Sequence, residues 1–217
     1  MVASGSQPTR EYDFIQGDQP SYALTKAREQ FAKRCEVLRA NLSDPDFLEN
    51  KSLGNEVGYH LFCYDSSLEL EMRDFCSSLI HESEIGRIQC RIVEFNLYDI
   101  FLNICETEDL YEWACNEEAQ NGLLELADSL FEMVDVDDFV DMFRRVPTFS
   151  GDVIFISGIG EVYPILRLHV LFERLQQVAI FKDLPVVAFY PGRYTGHSLS
   201  LFSHLDDGNY YRAFNLM

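Results

Sequence analysis

Two rhythms of apolar residues alternate along the chain. Short continuous runs such as Tyr59-His-Leu-Phe-Cys-Tyr64, Gln89-Cys-Arg-Ile-Val-Glu-Phe-Asn96, Asp152-Val-Ile-Phe-Ile-Ser157 and Pro185-Val-Val-Ala-Phe-Tyr190 have the length and β-branched content of buried strands. Between them, apolar residues recur every three or four positions. Leu24, Ala27, Phe31, Cys35, Leu38 and Leu42 form one such stripe; Leu68, Met72, Phe75, Cys76 and Leu79 form a second; Leu168, Leu171, Phe172, Leu175 and Val178 form a third. Strands alternating with helices predict an α/β fold of three layers, a mostly parallel sheet of about five strands with helices on both faces. Tyr210–Leu216 supplies the last strand.

The joints between the elements carry their own signals. Asp44-Pro45 ends or redirects the first helix. Ser66 with Glu69 makes a capping-box pattern after the first strand, Asp65 can cap the same turn, and Asn96 can cap the helix after the second. The third strand runs into Gly158-Ile-Gly160, and Pro164 suits the first turn of the helix expected there. In a parallel sheet the carboxyl ends of the first four strands share one edge, so Asp65, Ser66, Asn96, Gly158, Glu161, Tyr190 and Arg193 are expected together.

Composition adds organisation. The 217 residues, 47% hydrophobic, suit a single α/β domain over 20–217 behind a polar, Gly/Pro-punctuated arm at 1–19. The connection 98–147 reads as an inserted set of short acidic helices, with Trp113, Leu123, Leu126, Leu130 and Phe139 turned inward. The net charge of −19 is concentrated there: thirteen Asp and Glu and no Lys, Arg or His lie between Cys105 and Asp141, leaving −19 + 13 = −6 for the remainder. Such a segment is a solvated helical face or a docking surface for a basic partner. A chain of this charge is expected not to bind duplex DNA by itself, the mildly basic face of the first helix excepted. No apolar run approaches the ~20 residues of a membrane span, the first residues lack a signal-peptide layout, and the six cysteines stand singly; the expected location is the cytoplasm.

The chemical motifs fail one by one. Gly158-Ile-Gly160 lacks the third glycine of a dinucleotide fingerprint, since Tyr163 stands there. The loop after the first strand, Asp65-Ser-Ser-Leu-Glu, has neither the glycines nor the lysine of a phosphate loop. Asp65 after a strand resembles the nucleophile of haloacid-dehalogenase-like enzymes, but Ser67 occupies the place of their second aspartate. His169, His197 and His204 lack metal-ligand spacing, and Gly196-His-Ser198 is not a nucleophile elbow. The sheet is therefore P-loop-like or Rossmann-like without the phosphate loop, and neither cofactor nor metal is indicated.

Four strings, taken together, say more. Tyr64-Asp65 with Glu69-Leu-Glu-Met72-Arg73, Gly158-Ile-Gly160 through Tyr163-Pro164-Ile-Leu-Arg167-Leu-His169, Phe189-Tyr-Pro-Gly192-Arg-Tyr194 with Ser198-Leu199, and Asp207-Gly-Asn-Tyr-Tyr-Arg212-Ala-Phe214 follow in that order. In this combination the chain resembles the BrxB family, a core component of BREX bacteriophage-exclusion systems, over about residues 55–217. The resemblance implies a defence protein with no assigned catalysis. It would act beside PglZ (an alkaline-phosphatase-like protein), a large ATPase and a DNA adenine methyltransferase.

Two functions follow as expectations. One is a non-catalytic adaptor between the PglZ-like protein and the large ATPase; the other is an enzyme or switch with a degenerate nucleotide or phosphoester site at the strand ends. For the adaptor, Tyr163, Arg167, Tyr190, Arg193 and Arg212 are the candidate partner-binding residues, with an internal ion-pair role as the alternative for the arginines. Asp65, Glu69, Arg73, Gly158, Gly160 and Gly192 complete the strand-end cluster, the glycines as fold punctuation.

Overall fold

The computed structural model describes residues 22–51, 58–209 and 213–216. Its sheet contains five parallel strands in the order β2 (Arg91–Asn96), β3 (Asp152–Ser157), β4 (Val186–Tyr194), β1 (Tyr59–Tyr64) and β7 (Phe214–Asn215). The paired residues Phe95 with Ile156, Ile154 with Val186 and Leu61 with Ala188 set the register.

Strand side chains alternate between two cores, so the central runs are buried on both faces, their few polar residues His60, Asp152 and Ser157 included. Phe62, Val153, Phe155, Val187 and Phe189 meet Leu38 of α1 (Tyr22–Asn41), Phe47 of α2 (Pro45–Leu48) and Met72, Cys76 and Leu79 of α3 (Glu69–Glu84). On the opposite face Leu61, Phe95, Ile154, Ile156, Val186 and Ala188 meet the other helices. Those are α4 (Leu97–Thr107), α5 (Leu110–Asn121), α6 (Leu123–Met133), α7 (Val136–Arg145), α8 (Ile159–Val162) and α9 (Leu168–Leu175). Phe95 and Phe143 stack there with ring centroids 4.0 Å apart, and Phe181 meets Phe143 edge-on.

Several expectations need correction. Leu123 is exposed rather than turned inward, because Leu126 and Leu130 one turn on form the buried edge of α6. The capping box at Ser66 does not form: Asp65 caps a single 3₁₀ turn at Ser66–Leu68, and α3 starts after it. Pro164 does not open a helix. The residues from Ile159 to Val162 already coil into α8, Tyr163 is extended as residues before proline tend to be, the Tyr163–Pro164 bond is cis, and α9 begins only at Leu168.

The fourth strand also runs further than its apolar residues suggest. At Pro191, which has no N–H to donate, β4 leaves its parallel partner, and from Gly192 it pairs antiparallel with β5 (Ser198–Leu201), which in turn pairs with β6 (Leu205–Asn209). Gly192 permits this turn-away, since a Cβ there would lie 2.2 Å from the Ser200 carbonyl oxygen. The expected last strand is confined to Phe214–Asn215 among the described residues; its first part, including Arg212, lies outside them.

Candidate functional site at the strand ends

Because β1 to β4 are parallel, their carboxyl ends fall along one edge of the sheet, in the spatial order Asn96, Ser157–Gly158, Pro191–Gly192, Tyr64–Asp65. Gly158 adopts a left-handed φ of 71°, and a Cβ on it would lie 2.3 Å from Asn96 Oδ1. That oxygen caps α4 by accepting from the N–H groups of Tyr98 and Asp99, so glycine lets the end of β3 pass beside a helix start.

A chain of side chains then stitches this edge together. Tyr64 donates its hydroxyl to Glu69 at 2.6 Å, and Arg73 donates from Nε to the other oxygen of Glu69 at 3.0 Å. The Arg73 guanidinium also reaches Glu161 of α8 at 2.7 Å. Burial, seconded by the Glu69 charge, pushes the Tyr64 phenol well above its ordinary value, so it remains a donor. Arg73 thus joins the helix after β1 to the helix after β3 by an internal ion pair.

Behind it lies a small cleft of about 170 Å³ lined by Glu69, Arg73, Cys76, Glu94, Asn96, Ser157 and Glu161 among others. Ser157 donates to Glu94 at 2.5 Å, and the Cys76 thiol lies 3.7 Å from the same oxygen. Burial first and Glu94 second raise the Cys76 thiol above its usual range, keeping it protonated and a poor nucleophile. Three carboxylates around one guanidinium make this cleft hostile to phosphate.

Asp65 is exposed and committed to its own turn. Its Oδ1 accepts from the Ser67 hydroxyl at 2.7 Å and the Ser67 N–H at 3.0 Å, and these bonds, the hydroxyl first, hold the carboxyl below its ordinary value. The Asp65 carboxylate thus caps the turn that follows β1.

The partner-binding candidates separate. Tyr190 is withdrawn from any docking surface: its side chain is fully buried in the core beneath the sheet. Tyr163 is half-buried and packs against the same core. Arg167, ahead of α9, and Arg193, on the hairpin, are exposed. Gly160 lies against Pro191 and Phe202, 2.9 and 3.0 Å from where a Cβ would be, so it is punctuation as expected.

Sequence reasoning missed Glu94, a carboxylate set between Val93 and Phe95 in β2, and Ser157 at the end of β3. It also missed a wider groove of about 550 Å³ on the other side of Tyr64, between α1, the end of β1 and the β4–β5 hairpin.

Away from this edge, the acidic segment shows its own pattern. Leu102, Tyr111, Leu123, Leu124, Phe131 and Met133 are all exposed, Leu124 to 82%. On α6, Leu124, Asp128 and Phe131 follow at i, i+4 and i+7 and so share one outward stripe. Tyr111, Cys115 and Glu118 do the same on α5. Cys115 is also the exposed member of the six free cysteines, the others being buried or half-buried. Among the described residues, ion pairs reach Asp137 and Asp141 of α7, from Arg174 and Arg144, and none reaches α5 or α6.

The molecule is thus an α/β protein with a mixed, partly parallel sheet, ion-paired strand ends and an acidic helical insertion; among the described residues, no helix is long and apolar enough to cross a membrane. A family model described as BREX protein BrxB matches residues 93–216. Two proteins named BREX protein BrxB are similar to the chain: one from Bacillus cereus (strain H3081.97), 31% identical over 188 residues, covering 85% of this chain and 96% of that protein, and one from Escherichia coli O9:H4 (strain HS), 29% identical over 186 residues, covering 85% and 90%. No solved structure matches. The chain belongs to the BrxB family and is a component of a BREX phage-defence system.

Proposed function

We propose that this BrxB protein is a non-catalytic adaptor that links the PglZ-like protein with the large ATPase of its defence system. One observation carries the reading: α5 and α6 present exposed Tyr111, Leu123, Leu124 and Phe131 beside acids that no cation of the described residues answers. Apolar side chains set among unanswered carboxylates suit a basic, partly apolar surface on a partner, with the charges steering the encounter and the apolar groups supplying the affinity. The strand ends support the same reading by what occupies them, since Asp65, Glu69, Arg73 and Glu94 are tied to neighbours in roles that hold the fold together.

Co-purification with each of the two partners separately tests this. The double variant Leu124→Ser/Phe131→Ser should melt like the wild type and lose one partner, with affinity falling ~10–100-fold. The double variant Arg167→Gln/Arg193→Gln should retain both. The opposite pattern would place the dock at the strand ends and overturn the acidic surface. Turnover of a phosphoester by the isolated protein, abolished on changing Glu94, would revive the enzymatic alternative.

A further inference from the structure

The groove beside Tyr64 is unlike the rest of this acidic chain. Six positions of α1, Ala23, Lys26, Ala27, Gln30, Phe31 and Arg34, line it at the i, i+3, i+4 spacing of a single helix face. Arg34 is held in place, donating from its guanidinium to the Cys63 carbonyl at 2.5 Å. Arg193 stands exposed on the opposite wall, so three cations border one cavity in a protein of net charge −19. The carboxylate that shares it, Asp65, accepts from Ser67 within its own turn. Among the other lining residues, the Oδ1 of Asn215 is buried and has no hydrogen-bond partner among the described residues. A buried acceptor without a donor is costly, and a ligand that supplies one would relieve it.

We propose that this groove binds a small phosphate monoester of about mononucleotide size. Lys26, Arg34 and Arg193 would take the phosphate, and the Asn215 side chain would take an amine or hydroxyl at the other end. The site lies at the carboxyl ends of β1 and β4, the edge at which open parallel sheets meet ligands. Its volume of about 550 Å³ falls within the range of small-molecule sites. Its charge comes from side chains spread along an open wall, which suits a single doubly charged phosphate better than a magnesium triphosphate cradled by backbone. A nucleic acid strand would meet the repulsion of the surrounding surface. This reading is independent of the adaptor surface on α5 and α6.

Calorimetry of the full chain with AMP, inorganic phosphate and adenosine at moderate salt tests it. AMP should bind saturably with Kd ~10–300 μM, phosphate ~10-fold more weakly, and adenosine not detectably. The exposed changes Lys26→Gln and Arg193→Gln should each weaken AMP ~5–10-fold at unchanged Tm, whereas Asn215→Ala should weaken AMP and leave inorganic phosphate unaffected. No saturable heat with AMP, or wild-type binding by both cation variants, would overturn the proposal. So would tighter, steeply salt-dependent binding of a single-stranded oligonucleotide, which would make the groove a nucleic-acid channel instead.

Discussion

The four helices between β2 and β3 come from one acidic stretch, yet they divide into two pairs with opposite exposures. In α4 and α7 most apolar positions are buried: Leu97, Ile100, Phe101 and Ile104 in the first, Phe139, Val140 and Phe143 in the second. In α5 no residue is fully buried, and in α6 only Leu126 and Leu130 are. The first pair forms the wall of a core; the second is carried on that wall. An acidic composition therefore says nothing by itself about whether a helix is structural. What decides is whether the apolar residues are turned toward the sheet or away from it.

The sharpest way to break that contrast is to truncate one aromatic from each pair. Phe143→Ala removes a ring stacked on Phe95 and should cost ~3–5 kcal/mol, read as a lowered urea midpoint. Phe131→Ala should cost under ~0.5 kcal/mol, since the residue is 57% exposed. Comparable losses in the two would mean that the Phe131 face of α6 is buried as well.

A middle-sized effect concerns the point where the insertion returns to the sheet. Asp152 opens β3, is nearly inaccessible, and accepts from Arg91 at 2.9 and 2.6 Å and from the Phe149 N–H at 2.7 Å. Burial pushes its carboxyl up, but the Arg91 bonds, the Phe149 N–H and the Arg91 charge outweigh that and hold it below its ordinary value. Asp152→Ala should cost ~1–3 kcal/mol by leaving these donors unanswered. In the wild type a depressed carboxyl stabilises fully above its unfolded pKa of ~3.9. That contribution is lost as pH falls through the lower folded value, and the Asp152→Ala variant should lack this part of the acid dependence.

A smaller effect than that of Asp152 is on the opposite face, where an acid is answered. Glu82 of α3 takes a paired contact from Arg39 of α1 at 2.6 and 2.9 Å. That hydrogen bonding, helped by Ser78 and opposed by slight desolvation, holds its carboxyl down to about 2. Partly exposed to solvent, the pair should contribute under ~1 kcal/mol, present at neutral pH, lost between pH ~4.3 and ~2, and weakened by salt. Arg39→Gln should flatten the melting temperature over that range. A larger loss would show that α1 depends on this contact more than on Leu38.

Much of the sheet was legible because buried parallel strands write themselves as largely uninterrupted apolar runs; Tyr59–Tyr64 was bounded to the residue, and the run from Asp152 into the Gly158 turn contains β3. The β5–β6 hairpin was not, since its residues include His204, Asp206 and Asp207, and only Leu199 and Leu201 of β5 enter the core. Tyr190 was misjudged for a related reason: placement at a strand end was taken as exposure, whereas strand parity turns its ring into the core with Ala188 and Val186. The cations of the groove lay on a helix whose basic face was visible in the sequence, but the wall opposite, with Arg193, came from the hairpin. Pairings between distant residues, such as Arg73 with Glu161 and Arg91 with Asp152, depend on which strands become neighbours, and no local pattern encodes that order.

The position of Cys115 has a practical consequence. Its thiol is exposed on the outward stripe of α5, whereas Cys63, Cys76, Cys90 and Cys105 are buried and the half-buried Cys35 is pushed by burial to about 12, mostly unreactive at neutral pH. A maleimide fluorophore should therefore label the native protein at one place, between Tyr111 and Glu118. Placed there, it would sit inside the proposed dock, so its emission should shift when a partner covers α5 and stay constant when AMP fills the groove on α1.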